Sequence, residues 1–220
     1  MSPISVEAGP MFSGKSSVLV EEIKRRLIGN QKPGKDFLAF NHKDDIRYGE
    51  KIIASHRNEN VVAIPISNSK ELLEILFNLP KKRDLKPNDI KKEFIELKAL
   101  YLDEAQFFDN NLSQTLNLIE KVFQQHPKRK FPLSIHTAGL DQDFLGRPFG
   151  PMPNIMAIAN EVHKHTAVCT ICGENNATKT QRLINGRPAS PKDPIVLIGG
   201  EDSYTARCPL HHEIPEEKGQ

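Results

Sequence analysis

Gly9-Pro10-Met11-Phe12-Ser13-Gly14-Lys15-Ser16 is the stretch that decides the fold. The octet matches G-x-x-x-x-G-K-[ST] in full, and its flanks supply the context that pattern needs. Before it, Ile4 to Ala8 is a short β-prone run. After it, Lys15 to Ile28 sets Val18, Leu19, Ile23 and Leu27 at helical spacing among charged residues, and Gly29-Asn30 stops the helix. A glycine-bearing turn between a strand and a helix cradles phosphate. The glycines let backbone N–H groups curve around phosphate oxygens, and the helix points its positive end at the same anion. Lys15 then reaches the terminal phosphates of a nucleoside triphosphate, and Ser16 offers a hydroxyl to Mg²⁺. A chance match is the alternative, and the placement between strand and helix argues against it.

The punctuation beyond the octet keeps alternating. Pro33-Gly34 makes a turn, Phe37 to Phe40 has strand length, and Val61 to Ile64 is another strand closed by Pro65. Asn68 with Glu71 three residues on is a capping-box-like start for a helix through Leu79. Ala99 to Leu102 is a continuous apolar run, as in a buried parallel strand, and it ends in Asp103-Glu104. Leu112 to Val122 is helical in period, Leu133 to Ala138 strand-like, and Asn154 to Val162 a short helix. Strands alternating with helices predict an α/β domain with a parallel sheet over residues 1–162. From about Cys169 the texture turns polar and turn-rich around one apolar run, Ile195 to Ile198. That stretch, 163–212, has too little apolar surface to hold itself and needs a metal or a partner domain. Residues 213–220 form a polar tail.

Composition narrows the classes. A chain of 220 residues can bury a core without staples, and 38% hydrophobic with 26% charged residues describes a globular protein rather than a disordered one. The 30 basic and 28 acidic side chains nearly cancel. Lys24-Arg25-Arg26, Lys81-Lys82-Arg83 and Lys128-Arg129-Lys130 are scattered without interleaved aromatics, which reads as solvated faces and not a nucleic-acid groove. No run approaches the roughly 18 apolar residues of a membrane helix, and the N-terminus lacks a signal-peptide pattern. The expected address is cytoplasmic, with no membrane partner. In that reducing compartment three cysteines are not a disulfide framework.

Two constellations carry chemistry besides the octet. Asp103, at a strand end, fits the acid that holds Mg²⁺ directly or through water, and Glu104 beside it is placed to orient or deprotonate an attacking hydroxyl. An exposed acidic pair is the plainer alternative. Cys169-x-x-Cys172 with Cys208-x-x-His211 forms two knuckles whose four ligands suit a closed, structural Zn²⁺ site. A redox pair is the rival reading for Cys169 and Cys172, and His212 is the rival of His211.

In their order and spacing, the octet, Asp103-Glu104-Ala105-Gln106-Phe107-Phe108, Ala138-Gly139-Leu140-Asp141 with Arg147-Pro148-Phe149-Gly150, Thr180-Gln181-Arg182-Leu183, Ile198-Gly199-Gly200, Tyr204 and the cysteine knuckles resemble the zinc-containing cytosolic thymidine kinases, particularly the bacterial form. The resemblance covers nearly the whole chain. It implies a P-loop NTPase (RecA-like) parallel sheet with helices on both faces, plus a small C-terminal zinc-binding lasso domain. It also implies ATP- and Mg²⁺-dependent phosphorylation of the 5′-hydroxyl of thymidine or deoxyuridine in salvage of DNA precursors, a homotetramer, and feedback by thymidine triphosphate. By position, Glu104 would be the catalytic base. ATP would be held by Gly9, Pro10, Met11, Phe12, Ser13, Gly14, Lys15, Ser16, Asp103, Glu104, Ala105 and Gln106. Phe107 would stack on the base, with Met11 and Leu140 lining its pocket. Asp45-Ile46-Arg47 resembles a D-x-R segment near substrate, and its spacing to Arg47 selects Asp45 over Asp44. Thr180, Ile195, Gly199 and Tyr204 would belong to the lasso that closes over the nucleoside. Two other functions compete: the same fold acting on a different nucleoside or small alcohol, and a zinc-ribbon nucleic-acid binder with an ATP-gated core.

Overall fold

The computed structural model describes residues 4–45, 51–54, 59–79, 84–195 and 203–216. Arg47, the Lys81-Lys82-Arg83 cluster, Val196 to Ile198, Gly199 and the last four residues of the tail lie outside the described residues.

Six strands build the central sheet. They are β1 (Ile4–Ala8), β2 (Phe37–His42), β5 (Ile64–Ile66), β6 (Ala99–Leu102), β7 (Ser134–Gly139) and β8 (Glu161–Lys164), in spatial order β5-β2-β6-β7-β1-β8. Every pairing in it is parallel. The predicted parallel sheet is therefore present, and period-two alternation gives it two buried faces. Phe37 and Ala39 of β2, with Ala99 and Tyr101 of β6, pack beneath Leu19, Val20 and Ile23 of α1 (Lys15–Ile28). Their neighbours Leu38, Phe40, Leu100 and Leu102 face the opposite way. There they meet Leu72 and Leu76 of α2 (Ser69–Leu76), Leu116, Ile119 and Phe123 of α3 (Leu112–Gln124), and Met152 and Ile155 of α4 (Met152–Ile158). A small antiparallel pair, β3 (Ile52–Ala54) and β4 (Asn60–Val62), adds Ile53 and Val61 to the α1 side.

Helix α1 runs as its periodicity predicts, and other boundaries differ for physical reasons. The run Val61 to Ile64 is not one strand. It breaks at Ala63, whose N–H donates to the Lys51 carbonyl at 2.9 Å, and the chain then joins the main sheet as β5. Pro65 sits inside β5 and does not close it, which an edge strand tolerates because the missing donor has no ladder partner to disappoint. Helix α2 starts where predicted, with the Asn68 side chain accepting from the Glu71 N–H at 3.0 Å. It ends at Leu76 rather than Leu79, because Asn78 N–H turns to the Asp89 carbonyl at 2.7 Å. The predicted helix Asn154 to Val162 is helical through Ile158, and only its last two residues, Glu161 and Val162, are strand. Helix α4 stops at Ile158, Asn160 exchanges bonds with Ile4, and the chain becomes β8. All four β8 residues are exposed, so this edge strand offers no apolar alternation to read.

The C-terminal annex is a three-stranded antiparallel sheet, β9 (Lys179–Ile184), β10 (Arg187–Pro188) and β11 (Ser203–Arg207), in order β10-β9-β11. Its own apolar cluster is Ala167, Cys169, Ala177, Ala206 and Cys208. Five small side chains are a core of the size that a metal ordinarily supplements. No helix among the described residues is long and apolar enough to cross a membrane.

Candidate active site and metal centre

The octet, Asp103-Glu104 and Leu140 leave the carboxyl ends of β1, β6 and β7, where parallel sheets hold their ligands. Gly9 has φ +150°, and a Cβ there would stand 2.6 Å from the His165 carbonyl oxygen, so the loop can pass the end of β8 only with glycine. Gly14 has open space around it, but φ +86° is left-handed and places it as the N-cap of α1. The first turn of α1 carries no acidic residue, leaving its positive end for an external anion. Lys15 is buried, and its ammonium donates to the Pro10 carbonyl at 2.6 Å and to the Ser13 hydroxyl at 3.5 Å. The Ser13 hydroxyl donates to the same carbonyl at 2.8 Å.

Opposite the loop, Asp103 is buried, and its Oδ1 accepts the Glu104 N–H at 2.9 Å. Burial, and next the Glu104 carboxylate, push the Asp103 carboxyl up to about 7, against the pull of the Ser16 hydroxyl, the Glu104 amide and Lys15. A desolvated carboxyl bonded to a serine hydroxyl, with a second carboxylate beside it, is a hard-oxygen donor set that suits Mg²⁺. Glu104 adopts the left-handed conformation, φ 52° and ψ 40°. Such a conformation costs a non-glycine residue about 1–3 kcal/mol, and strain of this kind gathers at working sites.

Met11, Phe12, Gly14, Lys15, Ser16, Ser17, Asp45, Ala54, Asp103, Glu104 and Leu140 line one cleft. The acidic pair, the loop of residues 9–16 and three of the residues expected against the nucleoside, Met11, Asp45 and Leu140, thus share a wall. Asp45 is buried and accepts from Asn41 Nδ2 at 3.3 Å, whereas Asp44 is exposed beside His42. Asp45 is the one of the two that lines the cleft. Phe107 stands edge-on to Phe149 with centroids 5.8 Å apart and tilts toward His42. Phe108 is core. Tyr204 lies opposite Arg182 across the β11–β9 ladder. Ile195 follows Pro194, whose carbonyl accepts from Arg182. Neither Phe107, Ile195 nor Tyr204 lines the cleft among the described residues.

Three connections escape a reading of spacing alone. The Thr180 hydroxyl accepts the Met11 N–H at 3.0 Å, tying annex to phosphate loop. The Gln106 side chain joins Glu104 to the Leu140 amide. Glu7 of β1 accepts from His163 and His165 at the sheet edge. Of these, only Gln106 left a trace, in the glycines 139 and 150 that crowd it.

The four predicted metal ligands converge. One ligand atom from each of Cys169, Cys172, Cys208 and His211 falls within 4.8 Å of all the others. His211 Nδ1 lies 3.1 Å from Cys208 Sγ and 3.6 Å from Cys169 Sγ. Those edges match the roughly 3.5 Å that a tetrahedron with Zn–S of about 2.3 Å and Zn–N of about 2.0 Å requires. His212 is engaged elsewhere, with Nε2 2.9 Å from the Phe144 carbonyl. Gly173 at φ +75° and the Cys169 N–H to Glu174 carbonyl bond of 2.8 Å shape a knuckle turn rather than a helix start. Desolvation works against the Cys169 thiolate, but the amides of Cys172, Cys208 and Ile171 and the His211 side chain outweigh it and bring the thiol down to about 5, the ionised form a metal takes.

Comparison with known proteins agrees with this geometry. The profile of the family described as Thymidine kinase matches residues 2–212. A thymidine kinase of Coprothermobacter proteolyticus is 39% identical over 212 residues, covering 96% of this chain and 91% of its own. Among solved structures, the cytoplasmic domain of the Thermomonospora curvata type VII secretion ATPase EccC aligns with 81% of this chain and 22% of its own at 13% identity and a TM-score of 0.40, too slight a likeness to inform the fold. The family profile and the relative, each spanning nearly all of the sequence, show that this chain belongs to the thymidine kinase family.

Proposed function

We propose that the protein transfers the γ-phosphoryl group of ATP to the 5′-hydroxyl of thymidine and deoxyuridine, as a P-loop kinase of nucleoside salvage. The observation that carries this reading is the single cleft in which Lys15 and Ser16 face Asp103 and Glu104, with Met11, Asp45 and Leu140 on the same wall. Backbone N–H groups from Phe12 to Ser16 would surround the phosphates, and Lys15 would leave the Pro10 carbonyl to meet the terminal ones. Asp103 and Ser16 would hold Mg²⁺, which when bound supplies charge neutralisation at the phosphates. Glu104 accepts the proton of the attacking 5′-hydroxyl, and its fixed, strained backbone keeps the carboxylate at the cleft. Cys169, Cys172, Cys208 and His211 would hold a structural Zn²⁺ that pins both stems of the nucleoside-closing segment, so that fewer conformations are frozen on binding. Family membership further supports a cytoplasmic homotetramer subject to feedback by thymidine triphosphate.

Purified protein incubated with ATP, Mg²⁺ and a panel of nucleosides tests the reading. Thymidine monophosphate and ADP in equal amounts are expected, with one zinc per chain in the same sample. Turnover of another nucleoside without turnover of thymidine would overturn it.

A further inference from the structure

Gln106 is buried to 2% exposure in the turn of 3₁₀-helix, Ala105–Phe107, that follows the acidic pair. Its two amide atoms are both used. Oε1 accepts the Leu140 N–H at 2.9 Å, and Nε2 donates to Oε2 of Glu104. The first bond sets the sense of the second. A backbone N–H can only donate, so the atom facing Leu140 must be the oxygen, and the NH₂ is left to face Glu104. Glycine backbone packs closely against this residue. A Cβ on Gly139 would lie 2.7 Å from Gln106 Oε1 and equally close to Met152 Sδ, and a Cβ on Gly150 would lie 2.1 Å from the Gln106 carbonyl oxygen. Gly139 therefore clears the space beside this amide, and Gly150 the space beside the backbone carbonyl of the same residue.

We propose that Gln106 is the positioning residue of the base, a different task from contacting ATP. Its NH₂ occupies one oxygen of Glu104, so that the other is the oxygen presented to the nucleoside hydroxyl. Through Leu140 it also sets that carboxylate relative to the segment that follows β7 and lines the same cleft. A donor fixed on one carboxylate oxygen removes one rotational freedom from the base, so the carboxylate does not have to be ordered when the nucleoside binds. The inference rests on Glu104 being the base.

The test is the pH dependence of kcat/KM for thymidine in Gln106→Glu and Gln106→Met, with Glu104→Gln measured alongside. Gln106→Glu keeps an acceptor for the Leu140 N–H but sets a carboxylate against Glu104. Its acidic limb is expected to move up by about one pH unit, with activity recovering toward alkaline pH. Gln106→Met removes both bonds at similar volume and is expected to lower kcat about 10–100-fold, with the ATP KM changed less than about threefold. A purely structural role would not move the pH limb. An unshifted limb in Gln106→Glu, beside a strongly impaired Glu104→Gln, overturns the positioning role and leaves the base in place. Full activity in Glu104→Gln overturns the base and this inference with it. If Gln106→Met does not fold, the limb in Gln106→Glu decides.

Discussion

The Met11 N–H donates to the Thr180 hydroxyl at 3.0 Å, so a residue of the loop of residues 9–16 and a residue of the annex sheet, 169 positions apart, share one partly buried hydrogen bond. The annex is thereby fastened to the loop that would take the phosphates. Further contacts fasten it to the segment after β7, where Lys179 Nζ donates to Gln142 at 2.6 Å and the Arg182 guanidinium lies over the Phe144 ring at 5.4 Å. Order in the annex and order in the loop are thus physically linked.

Thr180→Val keeps the shape and deletes the acceptor, leaving the Met11 N–H unpaired. Loss of this partly buried bond, about 1–2 kcal/mol, corresponds to roughly a 5–30-fold effect. The KM values for thymidine and for ATP are expected to rise together, whereas Thr180→Ser stays within about threefold of the parent. A rise in only one of the two constants would show that the bond does not link the sites.

Removal of zinc should act on the nucleoside first. Cys208→Ala, or chelation, withdraws the pin from a cluster of five small apolar residues, and the thymidine KM is expected to rise about tenfold or more before ATP affinity falls. Steady-state kinetics with ATP binding by calorimetry on a zinc-free sample check this. Unchanged thymidine kinetics would sink it.

Glu104→Gln is expected to bind ATP normally while kcat falls by about 10²–10⁴, the usual worth of a general base. Asp103→Asn, in contrast, should weaken the dependence on Mg²⁺. Titration of activity against free Mg²⁺ in the two variants separates the roles, and a near-parental rate for Glu104→Gln would remove it from catalysis.

Gly150→Ala brings a methyl within 2.1 Å of the Gln106 carbonyl at a backbone φ of +49°. Overpacking against backbone costs about 1–3 kcal/mol, and a left-handed alanine adds about 1 kcal/mol. For a chain of this size the melting temperature should drop by about 5–10 °C, with kcat reduced as well because Gln106 is displaced. An unaltered melting curve would show that the segment relaxes freely.

His163 donates to Glu7 at 2.8 Å, and the hydrogen bond and then the charge of Glu7, helped by Glu161, raise the imidazole above its ordinary 6.5 against a small desolvation cost. A raised histidine contributes stability that is fully present below the unfolded value and is lost as pH rises through the folded one. His136 opposes this slope, because burial lowers it. The informative quantity is therefore the difference in melting temperature between the parent and His163→Asn, which should be largest near pH 6 and shrink toward pH 8. A difference that is flat with pH would assign the bond no role in stability.

Much was legible from residue order because it rests on local rules. The octet, with its glycines at obligatory turn positions and a periodic helix behind it, specified β1, the loop and α1. Continuous apolar runs marked β2, β6 and β7, since strands buried on both faces carry no polar alternation. The first half of β8, Glu161 and Val162, reads as the end of a helix for the converse reason: every side chain on the strand is exposed, and only its ladder to β1 makes it a strand. Cysteine spacing named four ligands, because two knuckles are local units. The choice of His211 over His212 waited on the Phe144 carbonyl, which takes the second histidine.

Sequence alone determined which adjacent residues stand together: a glycine-lysine-serine loop between a strand and a helix, an acidic pair at a strand end and two cysteine-bearing knuckles. Tertiary structure decided what those pieces do to one another. It put Asp45 and Leu140 on the wall that Glu104 shares, locked Gln106 between Glu104 and Leu140, and bonded Thr180 to Met11. Apart from the bond between Gln106 and Glu104, such contacts join residues from tens to more than a hundred positions apart, and the energy that selects them comes from packing and desolvation over the whole sheet, which no local pattern records.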